Sequence, residues 1–267
     1  MVEFLDLDGA RLEYRLWPGR RRKGIVLLHE GLGCVSMWRD FPERIGQASG
    51  CGVFAWSRRG YGGSSPASLP LTVGYMHEEA RRWLPLILQA TGFDEIVLVG
   101  HSDGASIAAI YAGEQQDPRV RGLVLMAPHF FVEDISLLSI AEARAAYETG
   151  DLRSRLERHH GANVDGAFWG WNRIWLDPAF RDWDIRAQLR HIEVPTLLIQ
   201  GADDEYGTLA QLEAARSAIT APLTAVVLPE CRHSPHRDQP EATVEAIATF
   251  LSGLSHNATS TADSPRC

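Results

Sequence analysis

Six short, nearly unbroken apolar runs limit what this chain can become: "GIVLLH" (24–29), "GVFAW" (52–56), "EIVLVG" (95–100), "GLVLMA" (122–127), "PTLLIQG" (195–201) and "LTAVVLP" (223–229). Each is too short for a core helix, and none alternates apolar with polar. Such runs fit strands buried on both faces of a parallel sheet. Helical stretches around 38–49, 73–91, 104–115, 208–219 and 240–252 fall between and after them. Parallel neighbours need long crossovers, so the alternation predicts an α/β fold with a doubly wound, mostly parallel sheet. At the start, "VEFLDLD" and "ARLEYRLW" alternate around Asp8-Gly9, the signature of a hairpin. Pro240 is placed as the first residue of the last helix.

The rhythm breaks once, between "GLVLMA" and "PTLLIQG". The stretches "SLLSIAEARAAYETG", "DLRSRLERHH" and "GAFWGWNRIWLDPAF" read there as helices. They predict a helical cap over residues 130–190, inserted into a core of 1–129 and 191–254. The remainder, 255–267, is small and polar and is expected to be a flexible tail.

Hydrophobic residues make up 45% and charged residues 22% of the 267 positions, the balance of a globular domain. The net charge of −8 argues against nucleic acid and anionic membrane surfaces as partners. The one basic run, Arg20-Arg21-Arg22-Lys23, reads as a solvated turn. No apolar stretch approaches the ~18 residues of a membrane span, and the acidic, alternating N-terminus does not read as a signal peptide. Cys34, Cys51, Cys231 and Cys267 lack disulfide or metal spacing, so a reduced, cytoplasmic setting is expected. Nothing in the sequence speaks to oligomeric state.

The strand run ending at Gly100 leads into "GHSDG" and then into the helical "ASIAAIYAG". In a strand–Gly-x-Ser-x-Gly–helix turn, the glycines make room for a sharp bend that lifts a serine hydroxyl clear of the sheet. Ser102 is therefore the candidate nucleophile, and the Asp103 amide a candidate oxyanion donor. A serine needs a base, and the base an orienting acid. "GADDEYG" offers Asp203 and Asp204 just past a strand end, and "ECRHSPHRDQP" offers His233, with His236 as the alternative. No zinc site is expected from the His-x-x-His, which lacks an intervening glutamate and a third ligand. In "HEGLG" the amide of Gly31, or alternatively Leu32, is the candidate second donor. His129 follows a sheet strand and is a candidate pocket residue. Trp171 and Trp175 share a helix face, which Phe168 can join, and form a candidate roof. Trp169, Phe180 and Trp183 read as packing, and Cys34 as a small core residue. Arg173 is weighed as a contact for a substrate carboxylate against a solvent-facing side chain.

"HEGLG" at 29–33, "SRRGYGGSSP" at 57–66, "GHSDG" at 100–104, "GADDEYG" at 201–207 and "CRHSPHRDQPE" at 231–241 together resemble the α/β-hydrolase superfamily, from about residue 10 to 252. The resemblance implies a Ser102–His233–Asp204 triad acting without metal or organic cofactor. It implies cleavage of a small carboxylic ester or thioester through an acyl-enzyme. Serine at the nucleophile position excludes the aspartate chemistry of dehalogenases and epoxide hydrolases of this fold. Two departures stand out: Glu30 replaces the usual glycine after His29, and Arg232 replaces the usual glycine before the histidine. Glu30 is a candidate pocket residue, and its carboxylate is expected either to be buried with a raised pKa or to point away and pair with an arginine. The same triad would also serve a carbon–carbon bond hydrolase of ring-cleavage products, a perhydrolase, or a ligand sensor that does not turn over.

Overall fold

A computed structural model describes residues 2–19 and 22–260, with the side chains of 255–260 left out. The chain opens with an antiparallel hairpin, β1 (Glu3–Leu7) and β2 (Ala10–Trp17). Its two turn residues, Asp8 (φ 48°) and Gly9 (φ 76°), both adopt positive φ, the twist that a two-residue hairpin needs. The apolar runs then become β3 (Lys23–Leu28), β4 (Gly52–Trp56), β5 (Glu95–His101), β6 (Val120–Met126), β7 (Thr196–Gly201) and β8 (Leu223–Leu228). They form one eight-stranded sheet in the order β1-β2-β4-β3-β5-β6-β7-β8, parallel from β4 onward.

Side chains alternate between faces, as the pleat requires. Ile25, Leu27, Val53, Val99 and Leu197 face α1 (Phe41–Ser49) and α11 (Pro240–Ser260), with Trp38, Phe41, Ile45 and Ile247. Val26, Leu28, Phe54, Leu98 and Leu125 face the opposite layer. That layer holds the helix from α2 (Tyr75–Glu78) to α3 (Leu84–Ala90), α4 (Asp103–Gln115), α8 (Arg186–Leu189) and α9 (Ala210–Ala218). The run "LTAVVLP" differs from expectation. As the edge strand β8 it is paired on one side only, and Val227 is exposed. The stretch expected as a single helix over 73–91 contains a π turn at Glu79–Trp83. Pro85 just beyond lacks the N–H that would bond back to Arg81, and the wider turn absorbs the mismatch.

Between β6 and β7 lie α5 (Asp134–Thr149), α6 (Leu152–His160) and α7 (Val164–Trp175). The segment is pinned at its base, where Phe131 bridges Asp184 and the Ile185 amide donates to Phe130 O at 2.7 Å. α8, inside the expected 130–190 span, packs on α4 of the core instead; a Cβ on Gly113 would lie 2.3 Å from Gln188 O. The helical layer touches loops that leave the C-terminal ends of the strands. His160 Nδ1 accepts from the Gly62 amide and its Nε2–H donates to Leu32 O, both at 3.0 Å. Ser136 Oγ donates to Tyr206 O at 2.5 Å.

The last helix begins at Pro240 and runs on to Ser260, beyond the boundary expected at 254; Phe250 and Leu254 lie against Gly122. Residues 261–267 of the expected tail lie outside the described residues, as do Arg20 and Arg21 of the basic run. Arg22 and Lys23 pair with Asp94 and Glu95. No described helix is long and apolar enough to cross a membrane.

Candidate active site

Ser102 sits between β5 and α4 with φ 52° and ψ −120°, a strained conformation for a side chain bearing Cβ. The flanking glycines are what permit it. A Cβ on Gly100 would lie 2.4 Å from Gly104 O, and one on Gly104 would lie 2.1 Å from Leu28 O. Thrown outward by this turn, Ser102 Oγ lies 2.9 Å from His233 Nε2. His233 Nδ1 lies 2.8 Å and 3.0 Å from the two oxygens of Asp204. That contact fixes the tautomer: Nδ1–H donates to the carboxylate, and Nε2 accepts from the serine hydroxyl. Asp204 is held in turn by the amides of Tyr206 (2.8 Å) and Gly207 (3.2 Å) and by Gln200 Nε2 (2.5 Å).

Burial pulls the His233 pKa down, but the charge and hydrogen bond of Asp204, then Glu205 and Glu30, outweigh it, so the value is raised. Burial pushes Asp204 up, while the charge and hydrogen bond of His233 bring it net below the ordinary carboxylate value. Asp203 and His236 lie outside this chain of bonds. Asp203 is exposed. His236 is buried against Trp38 and Phe41, with both ring nitrogens unpartnered. Arg232 causes no crowding ahead of His233, because its side chain reaches outward to Glu205 at 3.4 Å. Glu205 also accepts from the His233 amide at 3.2 Å, a contact the sequence reading did not foresee.

Gly31, Leu32 and Asp103 line the same cavity as Ser102. Arg58, 2% exposed, shapes the loop that carries the first two. Its guanidinium donates to His29 O at 2.5 Å and Glu30 O at 3.1 Å, so the carbonyls turn toward the arginine. The His29 ring adds an Nδ1–H bond to Glu30 O at 2.7 Å and accepts the Arg58 amide at 3.0 Å. The indole of Trp171 lies against Gly31, 2.3 Å from where a Cβ would stand. The Asp103 side chain points away from the cavity's chemistry. It accepts from Tyr75 Oη at 2.7 Å, and that hydroxyl accepts from Trp175 Nε1 at 3.0 Å.

Glu30 meets its second expected state only in part: it pairs with an arginine, but it lines the cavity rather than pointing away. Its carboxylate lies 3.5 Å from both His101 Nδ1 and an Arg237 nitrogen. Burial pushes its pKa up, but the hydrogen bond and charge of His101, then Arg237 and His236, hold it well below the ordinary value. His101 Nε2–H donates to His233 O at 2.7 Å, so Glu30 and His101 buttress the loop that carries His233. His129 is 3% exposed, its ring 5.5 Å from that of His233 and 5.0 Å from that of Trp175. Its Nδ1 has no partner, and burial, with the charge of His233, lowers its pKa to about 3. It is therefore a neutral ring.

These residues enclose a cavity of about 490 Å³. Trp171 and Trp175 roof it, with Ile140, Leu152 and Leu156 from the helical layer. Phe168, Phe180 and Trp183 pack within that layer. Arg173 stacks over the Trp169 ring on the exposed side, so it does not reach substrate. Among the described residues no group of three or more His, Cys, Asp or Glu side chains is gathered as a metal site.

Residues 25–246 match the model of a family described as "Alpha/beta hydrolase family". Among curated proteins, the chain is 23% identical over 286 residues to "Epoxide hydrolase 3" of Xenopus tropicalis, covering 91% of this chain and 75% of that one. It is 25% identical over 246 residues to "Non-heme haloperoxidase" of Rhodococcus erythropolis, covering 80% and 85%. Among solved structures, the enol-lactonase from Burkholderia xenovorans LB400 superposes with a TM-score of 0.74 at 20% identity, over 94% of this chain and 100% of that one.

Proposed function

The chain belongs to the alpha/beta hydrolase family, and from that premise we propose that it hydrolyses a small carboxylic ester or thioester through an acyl-enzyme. The observation that carries the reading is the unbroken hydrogen-bonded chain from Ser102 Oγ through His233 to Asp204, beneath a roofed cavity. Ser102 Oγ attacks the carbonyl carbon and its proton passes to His233 Nε2. Asp204 stabilises the imidazolium and keeps Nδ1 as the donor. The Asp103 amide and that of Gly31, or of Leu32, receive the developing oxyanion, each worth roughly 3 kcal/mol. His233 returns the proton to the leaving alkoxide or thiolate. It then deprotonates water, which attacks the acyl carbon and frees Ser102. The roof rings Trp171 and Trp175 shield these steps from bulk water, and the neutral His129 ring lines the cavity without adding charge to it.

A lactone is a cyclic ester, so the likeness to a solved enol-lactonase fits ester chemistry. The relative named as an epoxide hydrolase does not redirect the reading, because Ser102 stands where aspartate chemistry would need a carboxylate. The similarity to a haloperoxidase favours one second reading, perhydrolysis at the same serine, with hydrogen peroxide replacing water at the acyl-enzyme. The test is a panel of p-nitrophenyl esters and acyl thioesters with a serine-directed phosphonate. Turnover and a covalent adduct are expected, with turnover about 10⁴-fold lower and no adduct in Ser102→Ala. A folded wild-type protein that neither turns over nor labels overturns the reading. Peroxide-dependent halide oxidation, lost in the same variant, would mark the second.

A further inference from the structure

The solvent-facing wall of the cavity is basic, although the chain as a whole carries −8. Arg39 follows the short 3₁₀ helix Val35–Trp38, Arg155 and Arg158 lie one turn apart on α6, and Arg237 lies on α10 (Pro235–Asp238). All four line the cavity that holds Ser102. Three of them lie near His159: besides burial, the charges of Arg237, Arg158 and Arg39 lower its pKa.

The carboxylates that line the cavity do not cancel this charge. Glu30 is committed to His101 and Arg237, Glu205 to Arg232 and the His233 amide, and Asp103 to the Tyr75 hydroxyl. Arg155 has a contact of 3.6 Å to Asp151. Arg39 and Arg158 have no carboxylate partner and no side-chain hydrogen bond among the described residues. The same lining includes the apolar side chains of Ile140, Leu152 and Leu156 from the helical layer.

A cavity that holds a buried nucleophile, some apolar lining and exposed, uncompensated arginines suits a molecule that combines a scissile carbonyl, an apolar part and an anionic group. Resting on the esterase reading above, we infer that the substrate carries an anionic group at the end remote from its scissile carbonyl. Arg39 and Arg158 receive that group, and an apolar segment spans the distance to Ser102. The anion is a carboxylate on the acyl tail or a phosphate on the leaving group; both offer oxygens to a guanidinium fork.

Two matched pairs separate these sources: p-nitrophenyl butyrate against the mono-p-nitrophenyl ester of glutarate, and butyryl-N-acetylcysteamine against butyryl-coenzyme A. In at least one pair the anionic member should show a kcat/KM at least tenfold higher. That ratio should shrink as salt is added. In the double variant Arg39→Gln, Arg158→Gln it should fall about tenfold, each partly solvated contact supplying roughly threefold. Preference for the neutral member in both pairs, or a ratio indifferent to salt and to the double variant, overturns the inference. A binding arm stands apart from turnover. Tryptophan fluorescence of Ser102→Ala is titrated with monomethyl glutarate and with inorganic phosphate. Saturable, salt-sensitive quenching that is lost with the two arginines supports the anion site even where no ester is hydrolysed, an outcome that sinks only the esterase reading. Ester turnover with neither anion preference nor such quenching sinks only the inference.

Discussion

Ser102, His233 and Asp204 depend on one another, and so do their titrations. His233 must be neutral at Nε2 to accept the serine proton, yet Asp204, Glu205 and Glu30 all favour its charged form. Activity should therefore rise with pH through a value above the ordinary 6.5 of histidine. Glu205→Gln removes one of the carboxylates that raise it and keeps an acceptor for the His233 amide. The acidic limb of the kcat/KM profile should then move to lower pH, as stopped-flow or plate assays across pH 5–9 would register; an unmoved limb would contradict the assignment. The three residues were legible because each belongs to a short, ordered motif at a strand end. Arg58 and Glu205 were not, because their roles arise from contacts across sequence separation: Arg58 reaches back to His29 and Glu30, and Glu205 reaches forward to His233. The rim arginines were invisible for the same reason, since Arg39, Arg158 and Arg237 converge only after folding.

At the scale of elements, six of the eight strands could be read from apolar runs, because a buried strand needs little else, and β1 and β2 from alternation around Asp8-Gly9. What the runs did not reveal was position in the sheet. "LTAVVLP" looks as apolar as its neighbours, yet β8 forms the edge, a distinction set by strand order rather than by local composition. The π turn before Pro85 likewise follows from backbone bonding, not from periodicity. The β5–α4 turn is the element where local sequence and tertiary packing agree most closely. Gly104→Ala would thrust a methyl group to 2.1 Å from a strand carbonyl, so backbone must move and no flexible side chain can yield. A loss of at least about 3 kcal/mol in chemical denaturation is expected, with activity falling as the elbow shifts. An alanine variant as stable as wild type would mean that the turn is looser than its dihedrals state.

Across the whole molecule, four buried histidines share one bias. His29, His129, His160 and His236 are all held below the ordinary value, with burial the largest cause in each. A histidine whose folded pKa is depressed gives stability that is complete above its unfolded value near 6.5 and is lost as pH falls toward the folded one. His233 leans the other way, but with His77 and His159 also lowered the balance is six to one, which predicts a melting temperature that drops between pH 7 and pH 5. His236 makes no ring hydrogen bond, so His236→Phe should fold with little cost at pH 8 and reduce the acid drop, as calorimetry at the two pH values would measure. A drop of unchanged size would place the acid sensitivity elsewhere. The helical layer could be foreseen from the gap between strands, but its seat could not. His160 ties it to Leu32 and Gly62, and the Trp171 indole fills the space beside Gly31 that any larger residue would claim. Ceiling and hearth therefore share a stone. On the proposed mechanism, an ester too broad to fit beneath that indole must displace it and the Gly31 loop with it, so such esters should be hydrolysed slowly even when they bind.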